Sequence, residues 1–219
     1  MARRPLTASA VAPLPRHAWE LVKAAVPRMH ETGRPFVAGA LTFGLFGWRH
    51  GWSRRASLVA AATMALCFRD PRRVPPDAEG AVVAPADGVV VGVDESVPPE
   101  DLGLGDTPRP RVTIATSVLD PYVHRAPVAG YVSYLSEDGS DMVVETGRGV
   151  RVGLHHAPGV VGRVACDVEP GDEVSLGQTY GLVPFASRVE VFLPAGAVVQ
   201  PLPGQRTVGG ETVLTVLAG

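Results

Sequence analysis

Phe185-Ala186-Ser187-Arg188-Val189-Glu190-Val191-Phe192-Leu193-Pro194 is the stretch that decides how this chain reads. From Arg188 onward apolar and polar side chains alternate, which is the period of a strand with one buried face. A serine stands at the mouth of that strand, preceded by the small residue Ala186. A serine there adds little to packing, but it is well placed for backbone chemistry. The simpler reading of this stretch alone is a turn leading into a strand, so the rest of the chain has to decide.

Moving outward, the same texture recurs from Gly80 to the end. Short Val-rich runs at 81–93, 111–116, 130–135, 142–145, 151–154, 163–168, 180–183, 188–193 and 212–216 are separated by Gly, Pro and Asp turn signals. No convincing helical period lies between them, so the fold class is mainly β, a barrel or sandwich. Ala84-Pro85-Ala86-Asp87-Gly88-Val89-Val90 and Glu169-Pro170-Gly171-Asp172-Glu173-Val174-Ser175-Leu176-Gly177-Gln178 look like the paired hairpins of lipoyl- or biotinyl-type barrels. A carrier of either group needs a lysine amine, and the only lysine is Lys23, outside that body. The absent lysine equally removes a pyridoxal aldimine from consideration. No His-x-His pair is present to start a zinc site, and no metal is expected.

Residues 1–76 have a different character. They hold twelve Arg/Lys against three Asp/Glu, while the remainder holds eight against nineteen, although the whole chain is nearly neutral at −2. A basic first third on an acidic body suggests that the first part meets a polyanionic surface; nucleic acid is not among the expected partners. His17–Met29 reads as a short basic amphipathic helix. Phe36–Trp48 and Ala56–Phe68 are uncharged apolar runs joined by a basic turn, Arg49–Arg55. Each run is shorter than the roughly 20 residues of an independent span. With Trp48 and Trp52 among arginines as interfacial anchors, the pair reads as a hydrophobic helical hairpin dipping into one leaflet. The Pro-rich Phe68-Arg69-Asp70-Pro71-Arg72-Arg73-Val74-Pro75-Pro76 marks the boundary to a β domain at 77–219. Cys67 and Cys166 imply no disulfide framework and fit a reducing compartment. The opening Met-Ala-Arg-Arg run leads into no apolar core, so a cleavable signal peptide is not expected.

In their order and spacing these landmarks resemble the phosphatidylserine decarboxylases in their short bacterial form, closest to the actinobacterial members. The resemblance runs from about Arg34 to the C-terminus. It is carried by the hairpin, the Phe68–Arg73 junction, Ala84–Gly88, the Asp120–Pro127 segment, the Pro-Gly-Asp hairpin and Phe185–Pro194. It implies that Ser187 attacks the carbonyl of Ala186 in an N-to-O acyl shift, and that elimination splits the chain into a β chain 1–186 and an α chain 187–219. The new N-terminus becomes a pyruvoyl group. That group would form a Schiff base with the serine amine of phosphatidylserine and act as electron sink while carbon dioxide leaves, giving phosphatidylethanolamine. By the same resemblance Asp87 is the acidic member of the relay that activates Ser187.

The family's histidine, two residues after the aspartate matching Asp120, is Tyr122 here, and His124 stands two residues further on. A two-residue shift along a strand keeps the same face, so His124 is the candidate base. Arg125 is the candidate for the lipid phosphate or carboxylate, with Tyr122 beside it. His155 and His156 point to opposite faces of a strand and are read as structural. Three departures accompany the match. Ala186 replaces a usual glycine, Pro184 replaces a basic residue, and a long loop shrinks to Ser136–Asp141. The expected partners are phosphatidylserine, the cytoplasmic face of the cell membrane as a peripheral attachment, the chain's own two fragments and a second copy. The rival reading is a relative that binds lipid without splitting.

Overall fold

The computed structural model describes residues 28–46, 51–157, 164–183 and 188–217. Strands β1 (Arg28–Met29) and β2 (Arg69–Asp70) form a short antiparallel ladder that brackets two helices, α1 (Arg34–Phe46) and α2 (Gly51–Cys67). The Val-rich body supplies β3 (Ala81–Val83), β4 (Gly88–Ser96), β5 (Arg109–Ala115), β6 (Val123–Arg125), β7 (Gly130–Leu135), β8 (Asp141–Glu145) and β9 (Arg151–Ala157). It continues with β10 (Ala165–Cys166), β11 (Glu173–Val174), β12 (Thr179–Leu182), β13 (Arg188–Phe192), β14 (Arg206–Thr207) and β15 (Val213–Val216).

Strand β13 lies inside an eight-stranded antiparallel sheet of order β11-β7-β8-β9-β13-β5-β4-β14. Its alternation works as the sequence suggests: Val189 and Val191 are buried while Arg188 is exposed. Its register is set on both sides, with Val189 opposite His156 of β9 and Ile114 of β5. The three-stranded sheet β10-β12-β6 and the β15-β3 pair add their own side chains to one core. Val82, Leu214 and Tyr180 join Ile114, Leu154, Val189 and Val191 there.

The mainly β expectation holds, but no closed barrel forms among the described residues. The large sheet ends at β11 on one side and β14 on the other, both two residues long. Pro170 precedes the first and Pro201 and Pro203 precede the second. A proline offers no N–H to extend a ladder, which fits the shortness of both strands on their N-terminal side. The run 81–93 is likewise two strands rather than one. Pro85 interrupts it, and the chain turns from pairing with β15 to pairing with β5. Gly88 restarts it where the backbones crowd, since a Cβ there would sit 2.4 Å from the Ala115 carbonyl oxygen.

Helix α2 reaches further toward the N-terminus than the apolar run Ala56–Phe68. No breaker separates Trp52 from Ala56, so Ser53, Arg54 and Arg55 join the helix instead of a turn. Helices α1 and α2 lie against each other. At their base Phe68 stacks on Phe36 with ring centroids 5.2 Å apart and meets Tyr122 edge-on at 5.5 Å. Among the described residues no helix is long and apolar enough to cross a membrane. The amphipathic helix expected at His17–Met29 lies outside the described residues except for Arg28 and Met29, which are the strand β1.

Candidate active site

Antiparallel order brings the starts of β4, β8 and β13 and the ends of β5 and β9 to one rim of the sheet. Ala115 faces both Val89 and Arg188, Arg188 also faces Ala157, and Asp141 faces His155. Asp87 enters this rim just ahead of β4. Ala186 and Ser187, the expected scissile pair, lie outside the described residues. The residues bounding that segment are fixed: Val183 donates its N–H to the Tyr122 carbonyl at 2.9 Å, and Arg188 opens β13. The strand beside Val183 is β6, and His124 of β6 faces Gly181 of β12.

Three buried polar side chains meet in the core beneath the rim. His124 Nδ1 lies 3.1 Å from His156 Nε2, and the Tyr180 hydroxyl lies 3.0 Å from the same nitrogen. His156 Nδ1 is 3.0 Å from the Ser140 carbonyl oxygen, which also accepts the His156 backbone N–H at 2.7 Å. Both imidazoles are 1% exposed and the phenol is fully buried. Burial first, then the neighbouring His156, pushes the His124 pKa well below its ordinary 6.5. Burial pushes His156 down to about 4. Both rings are therefore neutral near pH 7, and burial holds Tyr180 protonated by pushing its pKa well up. His124 Nε2 is buried and has no hydrogen-bond partner among the described residues. A neutral imidazole nitrogen that carries a lone pair can take a proton from a hydroxyl presented to it.

The other expected site residues are placed differently. Asp87 does not touch His124. One carboxylate oxygen accepts from Arg73 Nη2 at 2.6 Å and the other from the Gly209 N–H at 2.7 Å, so it ties the Pro-rich junction to the turn after β14. The group that contacts the ring of His124 is His156, which the sequence reading took as structural. Arg125 is buried and faces inward. It pairs with Asp70 and donates to the carbonyls of Pro71 at 2.8 Å and Gly177 at 3.0 Å. Tyr122 is buried against Phe68, and its hydroxyl donates to the Val118 carbonyl at 3.1 Å. Both side chains are engaged by groups of the protein itself. Asp120 is buried too, accepting from the Ser117 N–H at 2.9 Å and from Arg206.

A strand's own sequence does not say which distant strand its buried polar group meets, so the contact of His124 with His156 and Tyr180 is not legible in any one segment. The available signal was the His155-His156 pair, whose opposite faces put one imidazole inside the core. His155 is the outer one, 2.7 Å from the Asp141 carboxylate. A cavity of about 410 Å³, lined by Glu79, Val128, Thr146, Arg148, Leu176 and Leu217, lies at the opposite ends of the strands and includes none of these groups.

The open antiparallel sheet thus carries a buried, neutral imidazole pair in the core beneath one rim. The family model for phosphatidylserine decarboxylase matches residues 61–140 and 140–215. The chain is 43% identical over 239 residues to the phosphatidylserine decarboxylase proenzyme of Mycobacterium avium (strain 104), covering 99% of this chain and 100% of that one. It is 41% identical over 239 residues to the proenzyme of Mycobacterium ulcerans (strain Agy99), with 99% and 100% covered. It is 43% identical over 232 residues to that of Mycobacterium tuberculosis (strain ATCC 25177 / H37Ra), with 98% of each covered. Among solved structures, glucose permease IIA from Mycoplasma capricolum matches with a TM-score of 0.42 at 20% identity, over 62% of this chain and 93% of that one. The chain belongs to the phosphatidylserine decarboxylase family, a family of carboxy-lyases.

Proposed function

We propose that the chain is a precursor that splits its own backbone between Ala186 and Ser187, and that the split protein converts phosphatidylserine to phosphatidylethanolamine. Besides family membership, the observation that carries this reading is the buried, unpartnered Nε2 of His124. It sits on the strand paired to β12, the element that leads into the scissile pair. His124 would accept the Ser187 hydroxyl proton as the oxygen attacks the Ala186 carbonyl. Its depressed pKa keeps the ring neutral, and so open to a proton, at working pH, while lowering its basicity.

The residues fit a pyruvoyl group derived from Ser187. It would head β13, whose Val189 and Val191 anchor it in the core, with the unpartnered imidazole nitrogen available to it. A pyruvoyl group supplies an electrophilic carbonyl and an electron sink without any lysine. Asp87, engaged by Arg73 and Gly209, supports the rim by holding the junction against the sheet rather than by acting on His124 directly. In this reading residues 77–219 are the catalytic unit and residues 1–76 the membrane attachment. Exposed Phe36, Leu58, Val59 and Leu66 on or beside the helices, with Arg34, Arg55 and Arg69 among them, suit peripheral docking on an anionic lipid surface at the cytoplasmic face.

Denaturing electrophoresis with intact-mass measurement tests the proposal. The expected result is a small C-terminal fragment starting at residue 187, whose blocked end reacts with hydroxylamine or borohydride. Ser187→Ala should remain whole. A single full-length species of the natural chain, purified from membranes, would sink the proposal and favour a lipid-binding relative.

A further inference from the structure

We infer that His156 is the positioning residue for His124: it holds His124 in the tautomer protonated at Nδ1 and bare at Nε2, and it takes its own orientation from the Ser136–Asp141 turn. The role of His124 as base rests on the proposed function; the tautomer rests on hydrogen bonds alone.

A carbonyl oxygen only accepts, so His156 Nδ1, 3.0 Å from the Ser140 oxygen, carries the proton. A neutral imidazole has one N–H, so His156 Nε2 presents a lone pair. His124 Nδ1 lies 3.1 Å from that lone pair. Two lone pairs at that distance repel, and the contact becomes a hydrogen bond only if His124 Nδ1 donates. His124 Nε2 is then the bare nitrogen, and it is the atom left without a partner. The Tyr180 hydroxyl, which can only donate to the same His156 lone pair, shares it.

The chain of bonds has a firm origin. Asp138 accepts from Ser136 Oγ at 2.8 Å, from the Ser140 N–H at 3.0 Å and from Ser140 Oγ at 2.8 Å. Gly139 turns the backbone at a φ of +75°, and Ser136 N–H donates to the Asp141 carbonyl at 2.9 Å. With Ser140 held by its N–H and hydroxyl, its carbonyl accepts from both the backbone N–H and Nδ1 of His156. A histidine partner also differs in kind from the carboxylate more usual beside a catalytic imidazole. As a neutral acceptor it orients the ring without raising its basicity as an anion would. The titratable groups that act on this cluster are His155 and Asp141 on His156, and Cys166 on Tyr180, with Asp138 acting on Cys166.

The decisive experiment is a long-range proton–nitrogen correlation spectrum of ¹⁵N-labelled full-length Ser187→Ala protein in detergent micelles. His124 would be assigned by its loss in a His124→Gln variant. The expected spectrum has His124 protonated at Nδ1 and bare at Nε2; protonation at Nε2 overturns the inference. A second arm compares splitting rates with Ser187 restored. His156→Leu removes the acceptor and should split at least tenfold more slowly, whereas His156→Gln, which can still accept, should stay within about threefold of the natural chain. Equal rates for folded Leu and Gln variants also overturn it. If His124→Gln splits normally while the tautomer is as stated, it is the assignment of His124 as base that fails.

Discussion

Acidification offers a direct measure of the buried imidazole pair. In the unfolded chain a histidine titrates near 6.5, whereas burial in the fold pushes His156 down to about 4 and His124 in the same direction. Between those pH values the unfolded chain binds protons that the folded chain refuses, so stability rises with pH across that window. It is complete above 6.5, falls as pH drops from 6.5 toward 4, and the loss is fully developed below the folded value. At 1.36 kcal/mol per pH unit, His156 alone accounts for about 3 kcal/mol. That is a large share of the roughly 5–15 kcal/mol that holds a typical protein folded. The measurement is the urea midpoint of full-length Ser187→Ala protein in non-ionic detergent at pH 7 and pH 4.5. With a urea slope of about 3 kcal/mol per molar, the midpoint should fall by about 1 M. Asp138, pushed down to about 2 by the N–H and hydroxyl groups of its turn, still contributes at pH 4.5 and does not blur the window. An unchanged midpoint, or an equal fall in a His124→Gln/His156→Gln double variant, refutes the reasoning.

Three further outcomes are expected. Arg125→Met should cost about 3 kcal/mol in a urea titration, because it strips Asp70 of its partner and frees two carbonyls, yet leave the KM for phosphatidylserine unchanged. Gly88→Ala should cost about 2–3 kcal/mol and slow splitting, since the new Cβ meets the Ala115 carbonyl oxygen at 2.4 Å and pushes β4 from β5 beside Arg188. Val59→Glu together with Leu58→Glu, both exposed on α2, should reduce co-sedimentation with phosphatidylserine vesicles severalfold at unchanged thermal midpoint, and unchanged binding would remove α2 from the membrane surface.

Much of the architecture is legible in local patterns. Alternation in Arg188–Leu193 places Val189 and Val191 in the core, and the prolines and glycines between Val-rich runs mark where strands stop. Those are short-range properties of side-chain size and backbone freedom, and they carry into the fold with few changes. The two apolar runs become helices for the same reason, although Ser53–Arg55 joins the second because nothing there breaks a helix. The pattern of quoted motifs also sufficed to point to the family.

What the sequence alone left open is who meets whom. The resemblance made Asp87 the partner of the base and Arg125 a headgroup ligand, yet the fold gives Asp87 to Arg73 and Gly209, and Arg125 to Asp70. Charged groups near a chain crossing pair with whichever opposite charge the crossing delivers, and the strand order decides that. His156 lies far from His124 in sequence and only register brings its Nε2 to 3.1 Å. Composition, period and motif thus determined a mainly β member of this family with a serine, Ser187, immediately before a strand in the sequence. Tertiary structure alone decided which imidazole stands beside which, because hydrogen bonds between distant strands depend on sheet order and register, and neither is written in any one segment.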